Sequence, residues 1–123
     1  DLDRLKYVND TYGHKIGDQL IQTAAQLLKS VFSDNAIVSR VGGDEFVILL
    51  PQTTLLQIER LCDQLREKIC HSPSFTDDLQ LHMSIGVAFS EHSLGKTESL
   101  YIEADAQMYE DKRQKSKQFA RLY

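Results

Sequence analysis

The 123-residue chain lacks the marks of several whole classes of protein. No apolar run approaches the roughly 20 residues of a membrane span, and no stretch reads as a secretory signal. Internal repeats, low-complexity tracts and proline-rich linkers are missing, which leaves one domain with a single hydrophobic core. Positive charge is in deficit: 14 basic residues against 18 acidic ones give a net charge of −4, which argues against a general nucleic-acid binder. Two cysteines, Cys62 and Cys70, form no CxxC pair. Within an apolar helical pattern they read as buried free thiols, so a reducing, cytoplasmic setting is expected, alone or as the cytoplasmic part of a membrane-attached protein. The chain also lacks a starting Met, opens on DLDRLK and reads as a piece of something longer.

What is present is ordinary in bulk, with 41% hydrophobic and 26% charged residues, and informative in pattern. Residues 4–11 read as a short helix after Asp3, a good N-cap type, ending at Gly13. GHKIGD follows as a loop, and Asp18 reads as the N-cap of a second helix. There Leu20, Ile21, Ala24, Leu27, Leu28 and Val31 keep helical spacing. Ala36–Val41 and Phe46–Leu50 are β-branched and apolar, a hairpin about a GGDE turn that Pro51 ends. Leu55, Ile58, Leu61, Cys62, Leu65 and Ile69 predict a third helix. Strict alternation from Leu79 to Ser90 predicts a strand with one covered face. A last helix is expected over about 98–114, with Tyr101 and Tyr109 packing on its face. The order predicts an α+β fold, a mostly antiparallel central sheet flanked by helices. DLD at the start reads as the end of a truncated strand.

Asp44 and Glu45 side by side at a hairpin tip repel one another. If the strand ending at Asp1 lies beside that hairpin, Asp1, Asp44 and Glu45 converge at one sheet end. Such hard oxygen ligands suit Mg²⁺ or Mn²⁺. A solvated Gly-Asp turn explains the same residues, and spacing leaves both readings open. The basic segment Lys112, Arg113, Lys115, Lys117 and Arg121 is likewise either a solvated helix end or a clamp for a polyphosphate.

DLDRLKYVNDTYGHKIGD, followed after a helix by RVGGDEF, resembles the GGDEF family, the diguanylate cyclases that make cyclic di-GMP from GTP. MSIGVA at Met83–Ala88 and ADAQMYEDK at Ala104–Lys112 are similar to that family's further signatures, in the expected order. The resemblance runs from residue 1 to about 112 and implies a fold like the palm of nucleotide polymerases and class III adenylyl cyclases. It implies a site with two Mg²⁺ or Mn²⁺ ions, held by Asp1, the Leu2 carbonyl, Asp44 and Glu45. Asp44 is also expected to accept the proton of the attacking hydroxyl. Gly42 and Gly43 are expected to let the backbone approach the nucleotide. Asn9 and Asp18 are expected to read guanine, since a carboxylate accepts from its N1–H and N2–H₂. Lys6 and the amides of Arg4 and Leu5 are expected to hold phosphate at a helix N-terminus, with Lys112 a further phosphate contact. His14, His71, His82 and His92 carry no role.

The resemblance further implies a bacterial signalling enzyme acting as a homodimer on GTP, one nucleotide per domain, with an upstream sensor or dimerisation domain in the same chain. Residues 1–123 would be that GGDEF domain without its N-terminal helix and most of its first strand. The alternative is a non-catalytic GGDEF module that binds GTP and regulates a neighbouring domain. Two departures concern the last helix. Asp111 stands where relatives carry a small residue, and Lys115, Ser116 and Lys117 occupy the stretch of their Gly, basic residue and Asn, with Lys117 the candidate to replace the basic residue from one position on. A third lies before the hairpin, where an inhibitory product site, Arg-x-x-Asp, is replaced by Ser33, Asp34, Asn35 and Ala36. Without a guanidinium and a placed carboxylate, no guanine is gripped there. Cyclic di-GMP titrated into a steady-state assay is therefore expected to give no non-competitive inhibition that depends on residues 33–36.

Overall fold

Leu2 and Asp3 are tied through their amides to two distant segments, and the rest of the N-terminal region follows from that. The computed structural model describes residues 1–32, 35–75 and 79–122, with side chains to 117. The fold is α+β and divides into two compact units, Leu2–His82 and Asp1 with Met83–Tyr123.

In the first unit the Leu2 amide donates to the Asp44 carbonyl at 2.7 Å, and the Asp3 amide to the His82 carbonyl at 3.0 Å. Asp3 is thus part of a strand-like pairing and does not cap the next helix, contrary to the expectation. Helix α1, Leu5–Tyr12, instead starts from Arg4, which is left-handed at φ 61° and makes no side-chain cap. For a non-glycine residue that conformation costs about 1–2 kcal/mol. The Arg4 guanidinium lies 4.2 Å from the Tyr7 ring centroid, a contact contributing about 0.5–1 kcal/mol at an exposed site. The cost wins, so the bend is imposed by the paired Asp3 on one side and the helix on the other.

Gly13, at φ 90°, donates its amide to the Asn9 carbonyl to end α1 and also precedes the first residue of α2, His14–Val31. The N-cap is Gly13 where Asp18 was expected, so the second helix begins five residues earlier, and Asp18 lies inside it as an exposed residue. Gly17 is tolerated mid-helix, at about 1 kcal/mol relative to Ala, because a Cβ there would overlap the Asn9 side chain of α1. Leu20, Ala24, Leu28 and Val31 form the buried stripe of α2, which packs against both α1 and α3, Leu55–Cys70. Ile58, Cys62 and Leu65 are the buried residues of α3. Its start carries a full capping box, Thr54 with Gln57, worth about 0.5–2 kcal/mol. Burial pushes the Cys62 thiol up, with Arg66 acting in the opposite direction. Cys70 is exposed, so only one of the two thiols is buried as expected.

Strands β1, Ile37–Arg40, and β2, Phe46–Leu49, pair antiparallel in the register Ile37 with Leu49 to Arg40 with Phe46. This is the hairpin read from the sequence. The expected strand over 79–90 is not formed as a regular element; only Leu79 and Met83 take isolated bridge positions. Alternation survives in burial to Met83, with Leu79, Leu81 and Met83 inside and Gln80 and His82 outside. Ser84 is buried, and the residues from 85 to 90 are all half-buried.

The reason appears in the second unit. Helix α4, Thr97–Leu122, is longer than the 98–114 expected. Asp111 accepts from the Ile85 amide at 2.9 Å, Gln107 accepts from the Val87 amide at 3.0 Å, and Lys115 donates to the Met83 carbonyl. Side chains one helical turn apart thus satisfy backbone groups that a neighbouring strand would otherwise pair. Lys115 and Asp111 also form an ion pair at 3.5 Å. Tyr101 and Tyr109, expected to pack, are exposed, and among the described side chains of that helix Met108 is the buried one. Among the described residues no helix is long and apolar enough to cross a membrane.

A Cβ on Gly86 would overlap the Ala104 carbonyl and crowd the Met108 amide, both backbone groups of α4. Overpacking against backbone costs about 1–3 kcal/mol or more. Gly86→Ala is expected to lower the urea midpoint accordingly; a midpoint equal to wild type would refute this packing.

Candidate active site

The loop from Val41 to Glu45 joins β1 to β2. Its carbonyls are held one after another. Gly42 accepts from Arg40 Nε and Gly43 from Arg40 Nη2, both at 3.1 Å. Asp44 accepts from the Leu2 amide at 2.7 Å and Glu45 from the Val41 amide at 3.0 Å. Asp44 and Glu45, both half-buried, are therefore carried on a backbone whose peptide planes are fixed. Arg40 had no place in the expected site. The signal that identifies it is an arginine ending a strand two residues before a Gly pair, where a planar fork can reach two successive carbonyls.

Gly42 and Gly43 have no internal need to be glycine. Neither has positive φ. A Cβ on Gly43 would meet nothing within 4 Å, and one on Gly42 would make only an ordinary contact with Glu45, at 3.6 Å. Gly17 and Gly86 differ, since the space beside each is filled by the chain itself. The room at 42–43 is open to something from outside.

Leu2 is fully buried and sits beside Asp44 through its amide. Among the described residues no three of His, Cys, Asp and Glu gather as a ligand set. Mg²⁺ is commonly bound through one or two carboxylates plus substrate phosphates and retained waters. Two adjacent carboxylates and open space beside two glycines supply the donor type and the room such an ion needs.

Asn9 and Asp18 lie on successive helices. The Asn9 side chain rests against Gly17, the residue before Asp18, so α1 and α2 bring the two expected base-readers to adjoining positions. Lys6 is exposed in the first turn of α1, after Arg4 and Leu5. His14 is exposed at the start of α2, and the His71 ring meets the Glu67 carbonyl of its own helix.

In the second unit Lys112 Nζ lies 3.2 Å from Asp1 Oδ1, with the Asp1 side chain 10% exposed. The Asp1 amine donates to the Ser84 carbonyl at 3.0 Å, and the Ser84 amide to the Asp1 carbonyl at 2.8 Å. Arg113 pairs with Glu110 and Lys115 with Asp111. Three cations of the basic segment are thus engaged with acids of their own unit, a third arrangement beyond solvated helix end or phosphate clamp. Asp111, a departure from the family pattern, has a structural use as acceptor for Ile85. Ser33 and Asp34 lie outside the described residues; Asn35 is exposed and Ala36 half-buried.

The family model described as "Diguanylate cyclase, GGDEF domain" matches residues 1–118. A diguanylate cyclase of Vibrio cholerae is 33% identical over 113 residues, covering 92% of this chain and 35% of that protein. Signaling protein YkoW of Bacillus subtilis is 41% identical, covering 95% of this chain and 15% of that protein. The chain therefore spans about a third or less of the length of these relatives. Among solved structures, the active GGEEF domain of a diguanylate cyclase from Vibrio cholerae superposes with a TM-score of 0.77 at 31% identity, covering 93% of this chain and 73% of that one.

Because nothing within the chain fills the space at Gly43, Gly43→Ala is expected to keep wild-type stability or gain up to about 1 kcal/mol from a stiffer unfolded chain. Urea unfolding measures it, and a loss well beyond that range would show that the loop itself needs the glycine.

Proposed function

The chain belongs to the GGDEF family of diguanylate cyclase domains, and from that premise we propose that it condenses two GTP into cyclic di-GMP and two pyrophosphates. The observation that carries the reading is the hairpin loop, where space for a ligand at Gly42 and Gly43 adjoins two carboxylates on a braced backbone. Each domain binds one GTP, and in a homodimer each 3′-hydroxyl attacks the other nucleotide's α-phosphate. Proximity then governs the rate, because half of each reacting pair lies on the partner. Upstream sensor or dimerisation segments of the same protein set that proximity, in the cytoplasm.

Asp1, the Leu2 carbonyl, Asp44 and Glu45 would hold Mg²⁺ or Mn²⁺. When bound, such an ion polarises the phosphoryl oxygens and lowers the pKa of the attacking hydroxyl. Asp44 accepts the proton of that hydroxyl. Gly42 and Gly43 admit the nucleotide against the loop backbone. Asn9 and Asp18 read the guanine edge, and their placement on either side of the Asn9–Gly17 contact supports a shared base site. Lys6, with the amides of Arg4 and Leu5, holds phosphate at the start of α1. Lys112 exchanges its Asp1 partner for phosphate once substrate arrives.

Asp44→Asn in the full-length dimeric protein is expected to abolish cyclic di-GMP formation, read by chromatography after incubation with GTP and Mg²⁺, while the unfolding midpoint holds. Gly43→Ala is expected to lose activity at unchanged stability. Full activity of Asp44→Asn would sink the assignment. GTP bound without any product in the wild type would favour the non-catalytic module.

Adenine lacks the donors that the Asp18 carboxylate requires. A polar group that a bound nucleotide covers and leaves unpaired costs about 1–3 kcal/mol, more if charged, so GTP is expected to bind at least about tenfold more tightly than ATP. Calorimetry with both nucleotides decides it, and equal affinities refute the base-reading role.

A further inference from the structure

We infer that Arg40 is the positioning residue of the hairpin loop, fixing Gly42, Gly43 and Asp44 in the nucleotide-ready arrangement before any substrate arrives. Arg40 is exposed and ends β1, so it is not retained there by core packing. Its Nε and Nη2 donate to two consecutive carbonyls, those of Gly42 and Gly43, each at 3.1 Å. A rigid planar fork spans two acceptors in this way, and the single ammonium of a lysine does not reproduce it.

Two adjacent glycines make the most permissive backbone a loop can have. Admitting a ligand closely therefore conflicts with holding Asp44 still. The backbone amides of Leu2 and Val41 hold the carbonyls of Asp44 and Glu45, which leaves the two glycine peptides to Arg40. In a trans peptide the N–H is antiparallel to the C=O. Anchoring these carbonyls on the guanidinium thus turns the Gly43 and Asp44 amides to the opposite side. Arg40 then acts on the reaction through the loop, as preorganisation, and touches no reacting atom.

The effect on nucleotide affinity rests on the GTP reading above, whereas the effect on the loop does not. Full-length protein labelled with ¹⁵N-glycine and ¹⁵N-arginine, free of nucleotide, is compared with Arg40→Lys and Arg40→Ala. The wild type is expected to show an exchange-protected Arg40 Nε–H. In both variants the Gly42 and Gly43 amide signals are expected to shift or broaden, while the signals of Gly13, Gly17, Gly86 and Gly95 stay in place and report an intact fold. If the loop is competent only a tenth of the time without its fork, GTP affinity by calorimetry falls about tenfold in both variants. Unmoved Gly42 and Gly43 signals in Arg40→Ala would overturn the proposal. So would wild-type GTP affinity in Arg40→Lys, since charge alone would then suffice. A wild type that binds no GTP would overturn the substrate reading, and the glycine signals would still decide the role of Arg40.

Discussion

The hydrogen bond from the Leu2 amide to the Asp44 carbonyl, 2.7 Å long, joins the start of the chain to the tip of a hairpin more than forty residues away. Leu2 is wholly buried, so this bond is shielded from competing water. Much of the first unit is arranged around it. Asp3 is drawn into pairing with His82, Arg4 must turn left-handed, and α1 departs at once with Lys6 on its exposed first turn and Asn9 facing Gly17. Loss of this anchor would release the loop and redirect the helix together.

The glycines fall into those whose missing Cβ is replaced by the chain itself and those with open space beside them. At Gly17 and Gly86 the missing Cβ is replaced by atoms of the chain, an Asn side chain in one case and helix backbone in the other. At Gly43 the space stays open. A pair that costs conformational entropy and is not used in packing is consistent with the proposed close approach of a nucleotide. The two adjacent carboxylates make the same point electrostatically. They repel each other in the free protein, and on the proposed reading a cation with a polyphosphate would relieve that repulsion.

The second unit shows a helix doing work usually done by a strand. Gln107, Asp111 and Lys115 lie along one face of α4 and engage Val87, Ile85 and Met83 in turn. Ile85 and Val87 are half-buried, so each of their bonds contributes about 0.5–1.5 kcal/mol net, and together the contacts help order this segment. It also gives Asp111 a reason to be there that is separate from any phosphate clamp.

Much of this was legible in the residue order. The helices of apolar periodicity, the hairpin about Gly42–Glu45, the α+β class and the family all follow from spacing and from signatures that local chemistry constrains. The family resemblance also named Asn9, Asp18, Asp44 and Glu45 as expected site residues. What it did not carry were outcomes settled by distant partners. Asp3 and Asp18 have excellent capping chemistry, yet the first was claimed by pairing with His82 and the second was overrun by a helix that Asn9 and Gly17 allow to start at His14. The alternation at 79–90 promised a strand, but helix side chains took part of its ladder. Arg40 was given no role in the sequence reading, and its use appears only where the loop carbonyls come within its reach. Periodicity and turn chemistry are properties of neighbours in the chain, so the sequence determines them. Which donor meets which acceptor across forty or more residues depends on how the elements pack, and only the tertiary structure decided that.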